Sequence, residues 1–175
     1  AVMNKHLIVP VVDCRIKYFK KIYEDYKDIC NIPFEEKKFC LFASQNMLNN
    51  CKMQVGKLMS TIEKIDTIQQ YPHLKKETCY NSIELLKVFN QYKFIICFEN
   101  SNTDGYITEK IFNVFCARSI PIYNGAPNIN DYVDKKSYVD FNVNTQHEAL
   151  NFIKKIKLIS QSKPIYDKII NERKI

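Results

Sequence analysis

Long apolar runs are missing from this chain: no stretch reaches the roughly twenty apolar residues that cross a bilayer, which excludes a helical membrane span. No signal peptide is visible, and the abrupt start raises the expectation that targeting information was trimmed away. Glycine and tryptophan are scarce, with three and none in 175 residues. Arginine is also rare, and with it goes the planar fork that contacts bases and phosphates in two-pronged fashion. The seven cysteines form no CxxC pair, and none stands at zinc-ligand spacing with a histidine. An odd count without a framework argues for a reducing compartment. Localisation stays open, although the segment itself reads as soluble and cytoplasmic-like. There is no internal repeat and no low-complexity segment.

What is present describes an ordinary globular domain. Hydrophobic residues make up 46% and charged residues 26%, values that argue against disorder. The net charge of +7 comes from scattered lysine pairs (Lys37-Lys38, Lys75-Lys76, Lys135-Lys136, Lys154-Lys155), not from one basic block. With no recognised nucleic-acid module, no nucleic-acid partner is expected. A phosphorylated small molecule would use the same positive potential.

Along the chain, Leu7 to Val12 is a first apolar run, and Ile16, Phe19, Ile22, Tyr23, Tyr26 and Ile29 follow at helical spacing. Residues 1–35 fit no alternating pattern and read as a linker or N-terminal connecting segment. From residue 36 onward, strand and helix signals alternate. Strands are expected at Phe39–Ala43, Lys64–Ile68, Lys93–Phe98, Ile120–Tyr123 and Ser137–Phe141. Helices are expected over 47–60, 81–91, Thr108–Ala117, Thr145 to about Ile159, and 164–173. That alternation predicts an α/β, Rossmann-like parallel sheet with helices on both faces, occupying residues 36–175.

Ligands in such sheets sit beyond the carboxyl ends of the strands. The strand ending at Phe98 runs into the polar loop Glu99-Asn100-Ser101-Asn102-Thr103-Asp104-Gly105-Tyr106 and then into a helix opening at Thr108-Glu109-Lys110. A helix N-terminus favours an anion, and Lys110 adds a point charge there. Glu109 offers an acceptor for sugar hydroxyls, and Asn100 and Tyr106 offer further donors. A diphosphate carrying a ribose would use all of these. The same residues also make an ordinary helix start and an ordinary Asp104-Gly105 turn, and spacing alone leaves both readings open.

The run Phe98-Glu99-Asn100-Ser101…Tyr106-Ile107-Thr108-Glu109-Lys110-Ile111 resembles the signature of the α1,3-fucosyltransferases, glycosyltransferase family 10. Ile120-Pro121-Ile122-Tyr123-Asn124-Gly125-Ala126-Pro127 is similar to that family's next strand and glycine turn. Lys38-Phe39-Cys40-Leu41-Phe42-Ala43-Ser44-Gln45-Asn46 is similar to the strand that opens its donor-binding domain. The resemblance covers about residues 36–170 and implies the C-terminal half of a GT-B enzyme, binding GDP-fucose for inverting transfer to an acceptor glycan. It implies that Asn100, Tyr106 and Lys110 hold the pyrophosphate, that Glu109 holds the ribose hydroxyls, and that Thr108 and Gly125 belong to the same donor site. No metal or other cofactor is required by this reading.

Lys52 stands where the family carries an arginine that reaches the pyrophosphate, keeping the charge without the fork. Ile65-Asp66-Thr67-Ile68-Gln69 lacks the glycines that the family often has after its second strand. The resemblance puts the acceptor site and the general base in an N-terminal domain, and residues 1–35 are too short to be one. No catalytic base is therefore assigned, and acceptor contacts are expected from an upstream domain or a partner subunit. A non-catalytic GDP-sugar-binding subunit is the alternative reading. His6, His73 and His147 are far apart and read as surface residues; Tyr123 ends a strand at the expected ligand face.

Overall fold

The computed structural model describes residues 21–22, 24–26, 28–44, 50–74 and 82–173. Readings that fall on 1–20, 23, 27, 45–49, 75–81 and 174–175, His6, the Leu7–Val12 run and Tyr23 among them, lie outside the described residues. Five parallel strands form one sheet: β1 (Lys38–Phe42), β2 (Ile65–Thr67), β3 (Tyr92–Ile96), β4 (Ile120–Tyr123) and β5 (Val139–Asp140). Their spatial order is β2-β1-β3-β4-β5. Accompanying them are the helices α1 (Asn50–Ser60), α2 (Ile83–Asn90), α3 (Glu109–Cys116), α4 (Gln146–Gln161) and α5 (Lys163–Asn171).

The apolar runs become strands because both of their faces are covered. On β3, Tyr92 and Ile95 point into one core with α2 and α3, while Phe94 and Ile96 point into the other with α1, α4 and α5. The expectation of helices on both faces is thus met. Residues just before the sheet join the first core: Ile22 and Cys30 are buried in it, and the Ile32 N–H donates to Asn90 Oδ1 at 3.1 Å.

Two local departures have plain causes. β5 is only two residues long, because Lys135–Ser137 form a 3-10 turn whose Lys136 N–H is held by Asp134 at 2.9 Å. Pro121 survives inside β4 because β5 pairs only with Ile122 and Tyr123, so one side of Pro121 has no ladder to join. Scarce glycine leaves its mark at the end of α3. Arg118 takes the left-handed conformation there, φ 53°, where a glycine ordinarily closes the helix.

Candidate functional site

In this strand order the direction of chain progression reverses between β1 and β3, and the crevice beyond their carboxyl ends is the natural ligand position. Two lysines come to that crevice. Lys52, in the first turn of α1, is buried to 7% exposure, and its Nζ donates to Ser44 Oγ at 3.0 Å, just past β1. Burial holds its pKa below the ordinary lysine value, and the charge of Lys110 pushes in the same direction. The Lys52 ammonium thus lies in the field of Lys110.

Lys110 arrives from the β3 side, at the start of α3. Its Nζ pairs with Glu99 Oε2 at 2.9 Å and donates to Thr108 Oγ1 at 3.2 Å. Burial would lower its pKa, but the charge and hydrogen bond of Glu99, with Glu109 and Tyr106 adding, more than offset this and the net shift is upward. Lys110 is thus fixed in place and firmly protonated.

Glu99 is the residue that spacing did not single out for a role. Its side chain is fully buried. The carboxylate accepts the Thr108 N–H at 2.8 Å and the Thr108 hydroxyl at 3.0 and 2.8 Å, besides the Lys110 ammonium. Its own N–H donates to the Asn124 carbonyl at 2.9 Å, tying the β3 loop to the end of β4. One signal for it existed: a lone acid directly after an apolar strand needs partners if buried, and Thr108 and Lys110 are within reach of the returning loop.

This arrangement engages the Thr108 backbone at the head of α3. The Thr108 N–H is already taken by Glu99, and the Thr108 hydroxyl caps no helix N–H but serves the same carboxylate. Lys52 and Lys110 are the cations of the crevice, set against the carboxylates of Glu99 and Glu109, and the N–H groups of the first turn of α3 add the positive end of the helix.

The remaining expected site residues sit around this trio. Gly125 lies directly against it: a Cβ there would stand 2.5 Å from Tyr123 Oη and 2.6 Å from Glu99 Cγ, so only glycine lets the β4 turn close over Glu99. Asn100 is exposed, and Tyr106 and Glu109 are half-buried; both of the latter lie within electrostatic reach of Lys110. The loop between is braced by Gly105, φ 74°, whose N–H donates to Asn128 Oδ1 at 2.7 Å, and by Asn102 donating to Asn124 Oδ1 at 3.2 Å. Tyr123 is core: it is 1% exposed, and its hydroxyl accepts the Ala126 N–H at 3.3 Å. Asp66, in the segment lacking glycines, accepts the Tyr92 hydroxyl at 2.9 Å, and that hydroxyl also meets Tyr71 Oη at 2.6 Å. His73 and His147 are exposed. Among the described residues no group of three or more His, Cys, Asp or Glu side chains is placed to hold a metal ion, and no helix is long and apolar enough to cross a membrane.

The C-terminal model of glycosyltransferase family 10 (fucosyltransferase) matches residues 32–174. The chain belongs to glycosyltransferase family 10. A solved α1,3-fucosyltransferase with GDP-fucose superposes with a TM-score of 0.64 at 27% identity, covering 81% of this chain and 40% of that one. The α-(1,3)-fucosyltransferase of Helicobacter pylori is 38% identical over 76 residues, 43% of this chain and 16% of that protein. The GDP-fucose protein O-fucosyltransferase 3 of Danio rerio is 39% identical over 80 residues, 45% of this chain and 18% of that protein. The family 10 chain thus spans under a fifth of these curated relatives, and its sheet has the place of one Rossmann-like half of a GT-B fucosyltransferase.

Proposed function

We propose that this chain binds GDP-fucose in the crevice between β1 and β3 and serves as the donor-binding half of a fucosyltransferase. The observation that carries this reading is the pairing of Lys52 and Lys110 at the switch point, one buried against Ser44 and the other locked by Glu99. In this reading the pyrophosphate lies across the two ammonium groups, with Asn100, Tyr106 and Thr108 completing its contacts. Glu109 accepts the ribose hydroxyls, and Gly125 lets the backbone come close.

Inverting transfer is the reaction proposed for that donor. An acceptor hydroxyl attacks the anomeric carbon while the bond to the β-phosphate oxygen breaks, and the electron pair leaves with GDP. Lys52 and Lys110 stabilise the charge that grows on the departing diphosphate, which is where fixed cations accelerate a reaction most. The base that takes the acceptor's proton, and the acceptor contacts, belong to a further domain or a partner subunit.

Competition titration tests the donor assignment. GDP is expected to displace bound GDP-fucose, while UDP and ATP at the same concentrations leave it in place. Equal displacement by all three nucleotides would reduce the crevice to an unselective phosphate site.

A further inference from the structure

A second positive concavity lies on the β5 edge of the sheet, two strands beyond β3 and sharing no residue with the crevice described above. It is a cavity of about 320 Å³ between the 3-10 turn at Lys135–Ser137, α4 and α5. Lys135, Lys136, Lys155, Lys168 and Arg173 line it, against the carboxylate of Glu172. Asp140 stands beside it, within the field of Lys135 and Lys155. The Arg173 guanidinium is fixed by donating to the Phe115 and Ser119 carbonyls at 3.2 and 3.1 Å.

An independent observation separates this place from a chance gathering of surface lysines. Ser137 lines the cavity, is 1% exposed, and its hydroxyl has no hydrogen-bond partner among the described residues. A buried hydroxyl without a partner is unfavourable, and here it belongs to a residue that lines a cavity with five cationic residues. An acceptor-rich anion in the cavity answers both problems together. The volume lies near the lower end of the range for small-molecule pockets, about 300–1,000 Å³. The concave shape suits a compact ligand rather than a strand of nucleic acid or a membrane plane.

We propose that this cavity is a second anion site, taking a small soluble molecule with a diphosphate or two phosphate groups, held by Lys135, Lys155 and Lys168 over the Ser137 hydroxyl. Five cations against Glu172 and Asp140 leave an excess of three positive charges, which a diphosphate matches more closely than a single phosphate does.

The test is calorimetric titration with inorganic pyrophosphate at about 0.15 M salt, where diffuse attraction is screened beyond roughly 8 Å. It is done on the Lys52→Ala/Lys110→Ala protein, so that the crevice between β1 and β3 does not contribute. One equivalent of pyrophosphate is expected to bind, and adding Lys135→Ala/Lys155→Ala is expected to weaken it at least tenfold. Ser137→Ala changes no charge and is expected to weaken it about threefold or more. Absence of binding in the Lys52→Ala/Lys110→Ala protein overturns the proposal, as does unchanged affinity after either substitution on the β5 edge.

Discussion

Glu99 and Gly125 show how the residue scale governs the crevice. A buried carboxylate that accepts one N–H, one hydroxyl and one ammonium is satisfied as long as all three stay in place. Gly125 keeps them there by occupying no space beyond its backbone. Gly125→Ala would force its Cβ within 2.6 Å of Glu99 Cγ, and overpacking of that kind destabilises by about 1–3 kcal/mol. A lowered Tm together with weakened GDP binding is the expected result; unchanged binding would mean that Glu99 does not position Lys110. Lys52 carries a second prediction. Its ammonium must be charged to face a diphosphate, yet burial and then Lys110 hold its pKa below the ordinary value. It therefore loses its proton at lower pH than an exposed lysine, and GDP affinity falls as pH rises into the alkaline range. Because the bound anion restores the proton, binding there takes up protons, which calorimetry in buffers of different ionisation enthalpy detects. Lys52→Ala should remove this linkage, whereas Lys110, shifted upward, stays charged throughout.

At the scale of elements, capping governs how sharply each helix starts. Thr145 and Glu148 form a reciprocal capping box at the head of α4: the Glu148 N–H donates to Thr145 Oγ1 at 3.2 Å and the Thr145 N–H to Glu148 Oε2 at 2.9 Å. Thr145→Ala should cost about 1 kcal/mol in denaturant unfolding without touching GDP affinity; a change in affinity would tie α4 to the crevice. The periodic elements were readable in advance for a physical reason. Ile120–Tyr123 is a strand with the expected bounds, and α2, α3 and α4 fall within two residues of their expected ends. Strands buried on both faces and helices with one apolar face write their type into the apolar pattern. β5 was expected over Ser137–Phe141 but spans two residues, because the Asp134 side chain draws Lys135–Ser137 into a turn, and apolar pattern carries no trace of such a local bond. Lys52 and Lys110 could be named from the motif and from counting past β1. For Glu99 the sequence signals only that an acid at a strand end needs partners; which partners is not written there, since they lie nine and eleven residues away in a loop whose return path no periodicity records.

The whole molecule joins two apolar cores across one sheet, and a buried lysine lies at its margin. Lys37 is 8% exposed and its ammonium donates to the Asn90 carbonyl. Asn90 in turn donates to the Ala117 carbonyl at 2.8 Å and accepts the Ile32 N–H, so the segment before β1 is fastened to α2 and α3 through one residue. Burial takes the Lys37 pKa down to about 7 from 10.5, with Arg118 and Arg173 pushing the same way against Cys30. Between those two values the unfolded chain holds a proton that the native protein has released, so stability rises with pH across that window. Lys37→Met should flatten the rise in urea midpoints between pH 7 and 10; an unaltered slope would place the titration elsewhere.

Calorimetric titration of GDP into the wild-type chain, Lys52→Ala and Lys110→Ala decides whether a diphosphate lies between α1 and α3. Each lysine supplies a charge-assisted contact worth about 1.5–3 kcal/mol, so each substitution should weaken GDP binding about tenfold to a hundredfold while the fold, followed by circular dichroism, is kept. Wild-type affinity for GDP in both folded variants would contradict the assignment of the crevice.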